Sequence, residues 1–298
     1  MTAVLRAALC LALLASAGVA RAGEPLRVVA TIQPMALIAR ELGGTRVVVT
    51  SLVPPGASPH TFEPQPSDVQ SLAGARLLVE VGDGLDGWVE PLLNAASSTP
   101  ARVTLLDLAG VEPLPADPAE AHEGRFDPHL WLDPLRIRDA MLPALAAKFA
   151  ALDPEGRADY EKARDEFEQR LTALDAEIRA TLAGHGRRYL AFHTAWRYFA
   201  RRYQLDEIGV IEEAPGEEPT PRELGALSKR ARAAKLPAIL IEPQLSPRIA
   251  EMLARDLGVG LVTVDPNGDP TDPERATYEG LMRWNARAFA RALGGASP

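Results

Sequence analysis

The chain has 298 residues, 47% of them hydrophobic and 24% charged, which is an ordinary globular composition. Its formal net charge is −8 at neutral pH and only 5% of its residues are aromatic, which argues against a nucleic-acid binder needing a basic face and a stacking surface. The one cysteine, Cys10, lies in the segment read below as a leader, so the mature chain offers no thiol nucleophile, disulfide, Cys-type zinc finger or iron–sulfur cluster.

Residues 1–22 read as a secretory signal peptide. Arg6 supplies the positive end, residues 7–17 form a short apolar run, and Ala20-Arg21-Ala22 offers a small-x-small cleavage site. The run falls short of the roughly 20 apolar residues of a membrane span. Leu9 before Cys10 and the apolar residues after it make a poor lipidation site. The expected destination is the periplasm, as a soluble protein.

Short β-branched or apolar runs then recur, at 26–31, 46–52, 76–81 and 103–106, and again at 188–192, 207–211, 238–242 and 260–264. Helical patterns alternate with them, which predicts parallel sheets covered on both faces, an α/β class. A strand-free stretch from 133 to 184 separates the two sets and predicts two Rossmann-like lobes: an N-terminal one over 23–152 and a C-terminal one over 185–298. One long helix over 153–184 is expected to join them. Asp153-Pro154 reads as its start, Tyr160, Ala163, Phe167, Leu171, Leu174, Ile178 and Leu182 make a single apolar stripe, and Gly184 and Gly186 mark its end. At 1.5 Å per residue such a helix is about 45 Å long, enough to cross a domain. An intramolecular spine fits better than a coiled coil, because only one such helix is present. The stretches 112–124 and 212–221 read as surface loops, with Glu212, Glu213, Glu217 and Glu218 a solvated acidic cluster.

Without cysteine, a transition-metal site must draw on His, Asp and Glu. The five histidines are His60, His122, His129, His185 and His193. His193 directly follows the strand at 188–192 and Asp265 the strand at 260–264, while His60 sits in a Pro- and Gly-rich turn beyond the strand at 46–52. Ligand sites of α/β sheets lie at the carboxyl ends of strands. His129 lies in Asp127-Pro-His-Leu-Trp-Leu-Asp-Pro134, where Asp133 caps and Pro134 opens the next helix.

The segments VVATIQPMALIARELGG, VPPGASPHTFEPQPSD, FDPHLWLDP, LAFHTAWRYFARRY and ILIEPQLSP, in that order, resemble the landmarks of the periplasmic zinc/manganese-binding proteins of ABC transporters. These form the ZnuA-like, cluster A-I solute-binding family, and the likeness runs over nearly all of the mature chain. It implies a metal site in the cleft between two lobes, with His60, His129 and His193 as ligands and Asp265 of VTVDPNG as the fourth. It also implies Zn(II) as transported ligand and an ABC-type membrane permease as partner. A periplasmic metallochaperone is compatible with it, and the protein is expected to act as a monomer. Manganese-binding relatives generally carry glutamate where this chain has His193, and imidazole favours zinc over manganese; manganese or iron cargo on the same fold is the alternative. The long His-rich loop of many zinc-binding members is reduced here to His122, and the C-terminal disulfide of some members cannot form. A zinc hydrolase is the distant alternative, and no His-Glu-x-x-His motif supports it. A surface adhesin, as some relatives are described, would want the lipid anchor that this reading lacks. Glu63 could approach a metal or cap the next helix. Glu242 could accept the second ring N–H of a metal-bound histidine. His185 reads as a helix C-terminal cap or an exposed residue, and Trp131 and Trp196 as packing around the site.

Overall fold

A computed structural model describes residues 24–116, 124–212, 216 and 218–294. Cys10, the leader, His122, Glu213 and Glu217 lie outside them. The first sheet is built of β1 (Leu26–Ala30), β2 (Val47–Ser51), β3 (Leu77–Glu80) and β4 (Ala101–Thr104), all parallel, in the order β2-β1-β3-β4. Its strands alternate between two buried faces, as the period of two requires. Val28, Leu77 and Val79 face α1 (Gln33–Gly43), through Met35, Ile38 and Leu42. Val29 and Leu78 face α2 (Pro66–Leu72) and α3 (Val89–Ala95), through Leu72, Val89 and Leu92.

The chain then makes a short turn at His129–Leu132, which Asp133 closes by accepting from the backbone N–H of Leu135 at 3.1 Å, with Pro134 at the first helical position. The expected cap is therefore present. A π-helical turn, Ile137–Met141, leads into α4 (Leu142–Leu152).

The long helix is α5 (Arg157–Leu182), 26 residues and so about 39 Å long. It begins later than Asp153-Pro154 suggested. Asp153 instead precedes a 3-10 turn, Pro154–Gly156, and its carboxylate accepts from Tyr160 Oη at 2.8 Å and from Arg46 at 3.1 Å. The apolar stripe holds, with Tyr160, Phe167, Leu171, Leu174, Ile178 and Leu182 buried and Ala163 half-buried. The opposite face carries spaced ion pairs such as Arg164–Glu168 at 3.6 Å and Lys162–Glu166 at 3.8 Å.

Beyond it, β5 (Arg188–Ala191), α6 (Arg197–Tyr203) and β6 (Asp206–Val210) lead to α7 (Pro221–Ala234), β7 (Ala238–Ile241), α8 (Arg248–Leu257), β8 (Gly260–Thr263) and the terminal α9 (Tyr278–Gly294). The strands pair in parallel as β5-β6 and β7-β8, with β5 running beside β7. All eight expected strands form, shifted by a residue or two. The spine helix packs on α1 and α4 from the first lobe and on α9 from the second, so one continuous core runs through both. Arg170 of the spine ties α1 to α9 at the surface, reaching Glu41 of α1 at 2.5 Å and Glu279 of α9 at 3.1 Å. Burial and the neighbouring Glu279 push the Glu41 carboxyl up to about 7. Among the described residues no helix is long and apolar enough to cross a membrane.

Candidate metal centre

Three loops at the carboxyl ends of strands converge on one point. His60 comes from the loop after β2, His193 from the residue preceding the 3-10 turn Thr194–Trp196 after β5, and His129 opens the turn that Asp133 closes. Their ring centroids lie 5.1, 5.3 and 5.5 Å apart, and one ligand atom from each lies within 4.8 Å of the others. Nε2 of His60 and Nε2 of His129 are 3.1 Å apart. Two nitrogens, each 2.0–2.1 Å from a shared tetrahedral centre, would be separated by about 3.3 Å, so the spacing suits a shared cation. His129 and His193 are buried and His60 half-buried. The cavity they line together with Trp131, Glu242, Gln244 and Asn267 has about 10 Å³ of room, on the scale of one water molecule.

The two buried imidazoles are each held from behind by a buried carboxylate. Asp127 Oδ1 lies 3.0 Å from His129 Nδ1 and also accepts the His129 backbone N–H at 3.0 Å. Glu242 lies 2.9 and 3.0 Å from His193 Nδ1 through its two oxygens, and accepts from the Trp196 indole at 3.1 Å. With Nδ1 taken up in this way, Nε2 is the nitrogen each ring presents forward. Such carboxylate partners fix the orientation of metal-binding histidines and raise their basicity. Burial pushes the Asp127 carboxyl up to about 7, against the lowering pull of the His129 N–H and of Arg197, 3.5 Å away.

Aromatic side chains wall the site. Trp131 is wholly buried, tilts against His129 at 5.2 Å between centroids and donates to the Pro266 carbonyl at 2.8 Å. Tyr198 Oη donates to the Asp127 carbonyl at 3.0 Å and accepts from the Leu114 N–H at 2.8 Å.

Asp265 stands apart from this group. It is buried just beyond β8, and among the described residues the group of convergent ligand atoms comprises the three histidines. Its Oδ1 accepts from Gln244 Nε2 at 2.8 Å and from the backbone N–H of Asn267 and Gly268 at 3.0 Å each. Its Oδ2 pairs with Arg275 at 2.5 Å. The carboxylate of the expected fourth ligand is thus bonded within its own loop, with an arginine ten residues on as its ionic partner.

Glu63 is exposed and takes neither role offered to it: α2 is capped by the side chains of Gln65 and Asp68. Glu242 does stand behind His193, as read from the sequence. His185 is exposed, with Nδ1 3.2 Å from the Ala183 carbonyl. Glu212, expected in a solvated loop, is buried, accepts the Gly216 N–H at 3.1 Å and has its carboxyl pushed up by burial; Glu218 is exposed. The sequence motif assigns Asp127 no role, although an acid two residues before a histidine is within reach of that ring. Arg275, Gln244 and Asn267 carried no signal, since their contacts arise only when the loop after β8 folds back.

A family model described as zinc-uptake complex component A, periplasmic (ZnuA), matches residues 28–292. The manganese-binding lipoprotein MntA of Halalkalibacterium halodurans is 29% identical over 286 residues, covering 93% of this chain and 91% of that one. The iron ABC transporter substrate-binding lipoprotein MtsA of Streptococcus pyogenes is 25% identical, covering 91% and 89%. A zinc-bound deletion mutant of ZnuA superposes with a TM-score of 0.81 at 29% identity, over 92% of this chain and 100% of the other. The periplasmic zinc-binding protein TroA from Treponema pallidum shares the fold, with a TM-score of 0.80 at 23% identity over 91% and 100%.

Proposed function

The chain belongs to the ZnuA family of metal-binding components of ABC importers, and from that membership we propose that it captures Zn(II) through His60, His129 and His193 and hands it to a membrane permease. The family's members are transport components rather than enzymes, and a permease is the partner that such a component requires. The carrying observation is the donor set: three imidazoles converge, two of them braced by buried carboxylates, and among the described residues no carboxylate joins the convergent atoms. Imidazole donors suit zinc, whereas manganese is better served by carboxylate and carbonyl oxygens. Manganese or iron is the second reading, favoured by the names of MntA and MtsA.

On this reading residues 1–22 direct export to the periplasm, and residues 23–152 and 185–298 act as a monomer's two lobes on either side of the spine. That helix packs on both lobes, so release is expected to come from a small shift of the site loops rather than from wide hinge closure. The test is the metal content of the stripped mature protein after exposure to equal zinc, manganese, iron and copper, beside His60→Ala and His193→Ala variants. One zinc per chain, lost in both variants, is the expected result. Manganese or iron in its place would replace the cargo, and metal retained in both variants would displace the site.

A further inference from the structure

We infer that Arg202 is a positioning residue of the metal centre, one that sets His129 and His193 in register by tying the turn of the first to the helix behind the second. The inference rests on the reading that these histidines bind the metal. His129 precedes the spine in the chain and His193 follows it, so nothing local in the sequence fixes the distance between them. What joins them is α6, which starts four residues beyond His193 and packs against the turn that His129 opens.

Tyr198 and Arg202 lie four residues apart, on one face of α6, and both reach back to that turn. Tyr198 donates to the Asp127 carbonyl at 3.0 Å. Arg202 Nε donates to Oδ1 of Asp133, the carboxylate that closes the turn, and its Nη1 lies 3.6 Å from Asp175 Oδ1 on the spine. A guanidinium can hold two carboxylates at once through its planar fork. Charge balance alone does not call for it. Asp133 already has Arg136, three residues on, at 3.4 Å, and Asp175 has Arg179, four residues on, at 2.9 Å. Each of those arginines serves the acid on its own element, whereas Arg202 spans both. Its removal leaves neither buried carboxylate without a cation, so what is lost is the tie. Metal ligands must be held to within about 0.5 Å of their working geometry, and ligands already in place lose less freedom on binding. Arg202 therefore acts on the site from a distance, through Asp133.

The test measures zinc affinity, by chelator competition, for the mature wild-type protein, Arg202→Met, Arg202→Lys and Arg179→Met, with urea unfolding of each stripped protein. Arg202→Met should weaken zinc binding by about tenfold, the lower end of the range for groups outside the direct ligands. Lysine restores the charge but offers one nitrogen in place of the fork, so its affinity should stay closer to that of the methionine variant than to wild type. Arg179→Met takes a cation from the spine carboxylate and a bond from the Arg202 carbonyl, while the tie to Asp133 stays. It should bind zinc within about twofold of wild type, since a half-exposed i,i+4 pair contributes little. Cobalt(II) in place of zinc supplies a spectroscopic readout that a loss of stability does not move: its visible ligand-field bands should shift in Arg202→Met and not in Arg179→Met. Unmoved bands and affinity in Arg202→Met, full recovery by lysine, or an equal loss in Arg179→Met would overturn the inference. If the methionine variant does not fold, the lysine variant carries the same comparison. A wild-type protein that takes up neither zinc nor cobalt would instead bring down the functional reading itself.

Discussion

Replacing Glu242 with glutamine probes the brace behind His193 with little change of volume. The carboxylate sits 2.9–3.0 Å from Nδ1 and holds the Trp196 indole at 3.1 Å, all of it buried. A glutamine oxygen can still accept one of these N–H groups, but it carries no charge to raise the basicity of the ring or to offset an incoming dication. Loss of such an outer partner weakens metal binding by about 10–100-fold, that is by roughly 1.4–2.7 kcal/mol. Titration of the stripped Glu242→Gln protein against a competing zinc chelator reads this directly, with circular dichroism to establish that the fold is intact. The change should lie mainly in zinc dissociation, since the approach path is untouched. A zinc affinity within twofold of the wild type would refute the role given to Glu242, and with it the argument that Nδ1 is committed backwards while Nε2 binds.

Zinc affinity should fall as the pH drops below about 6, because protons compete for the imidazole nitrogens; an affinity flat from pH 7.5 to 5.5, followed by competition titration, would contradict imidazole ligation. Glu41 titrates at about 7 in the folded protein, above its ordinary value of 4.5, so the folded state holds the proton that the unfolded chain releases. Its penalty therefore grows as the pH rises from about 4.5 to about 7 and is complete above 7. Glu41→Gln should accordingly stabilise the protein by roughly 1–3 kcal/mol at pH 8 and by almost nothing at pH 4.5, read by urea unfolding at both pH values. Phe167→Ala, in the stripe of the spine, should cost about 3–5 kcal/mol and lower the unfolding midpoint of the whole molecule in one transition, since that core is continuous across the lobes. Two separate transitions would show that the spine does not couple them.

Strand and spine were legible because each rests on a repeating pattern: the apolar stripe from Tyr160 to Leu182 needs a period and nothing else. His193 was legible by a different route, as a residue just past a strand end, and His60 and His129 from the Pro-rich turns that hold them, on loops that this architecture opens together. What escaped was pairwise and non-periodic. Asp153 looks like a cap from its proline neighbour, yet Arg46, more than a hundred residues earlier, claims the carboxylate. Asp265 stands after β8 where the sequence puts it, and its ion pair with Arg275, ten residues on, was not legible there. Glu212 sits in an acid-rich stretch that reads as solvated, and is buried because its carboxylate turns back on the Gly216 N–H. In each case the residue type and the local spacing were right, and the partner was set by how the chain returns in space.

Charge accounts for why the site is arranged with its acids behind the rings. A dication among three neutral imidazoles in a buried pocket is uncompensated unless anions lie close by. Asp127 and Glu242 supply two carboxylates, one ring's width from the centre, and each is tied to an imidazole N–H rather than to the metal. Asp265 is matched separately by Arg275. On the proposed reading the convergent donors are neutral imidazoles that suit zinc, while part of the field that holds the ion comes from carboxylates that a bound ion does not have to displace. Such a division suits a carrier. On that reading, protonation or a slight rotation of one ring removes a ligand while Asp127 and Glu242 keep their hydrogen bonds to the imidazole Nδ1 atoms, so the metal can leave without those carboxylates having to move.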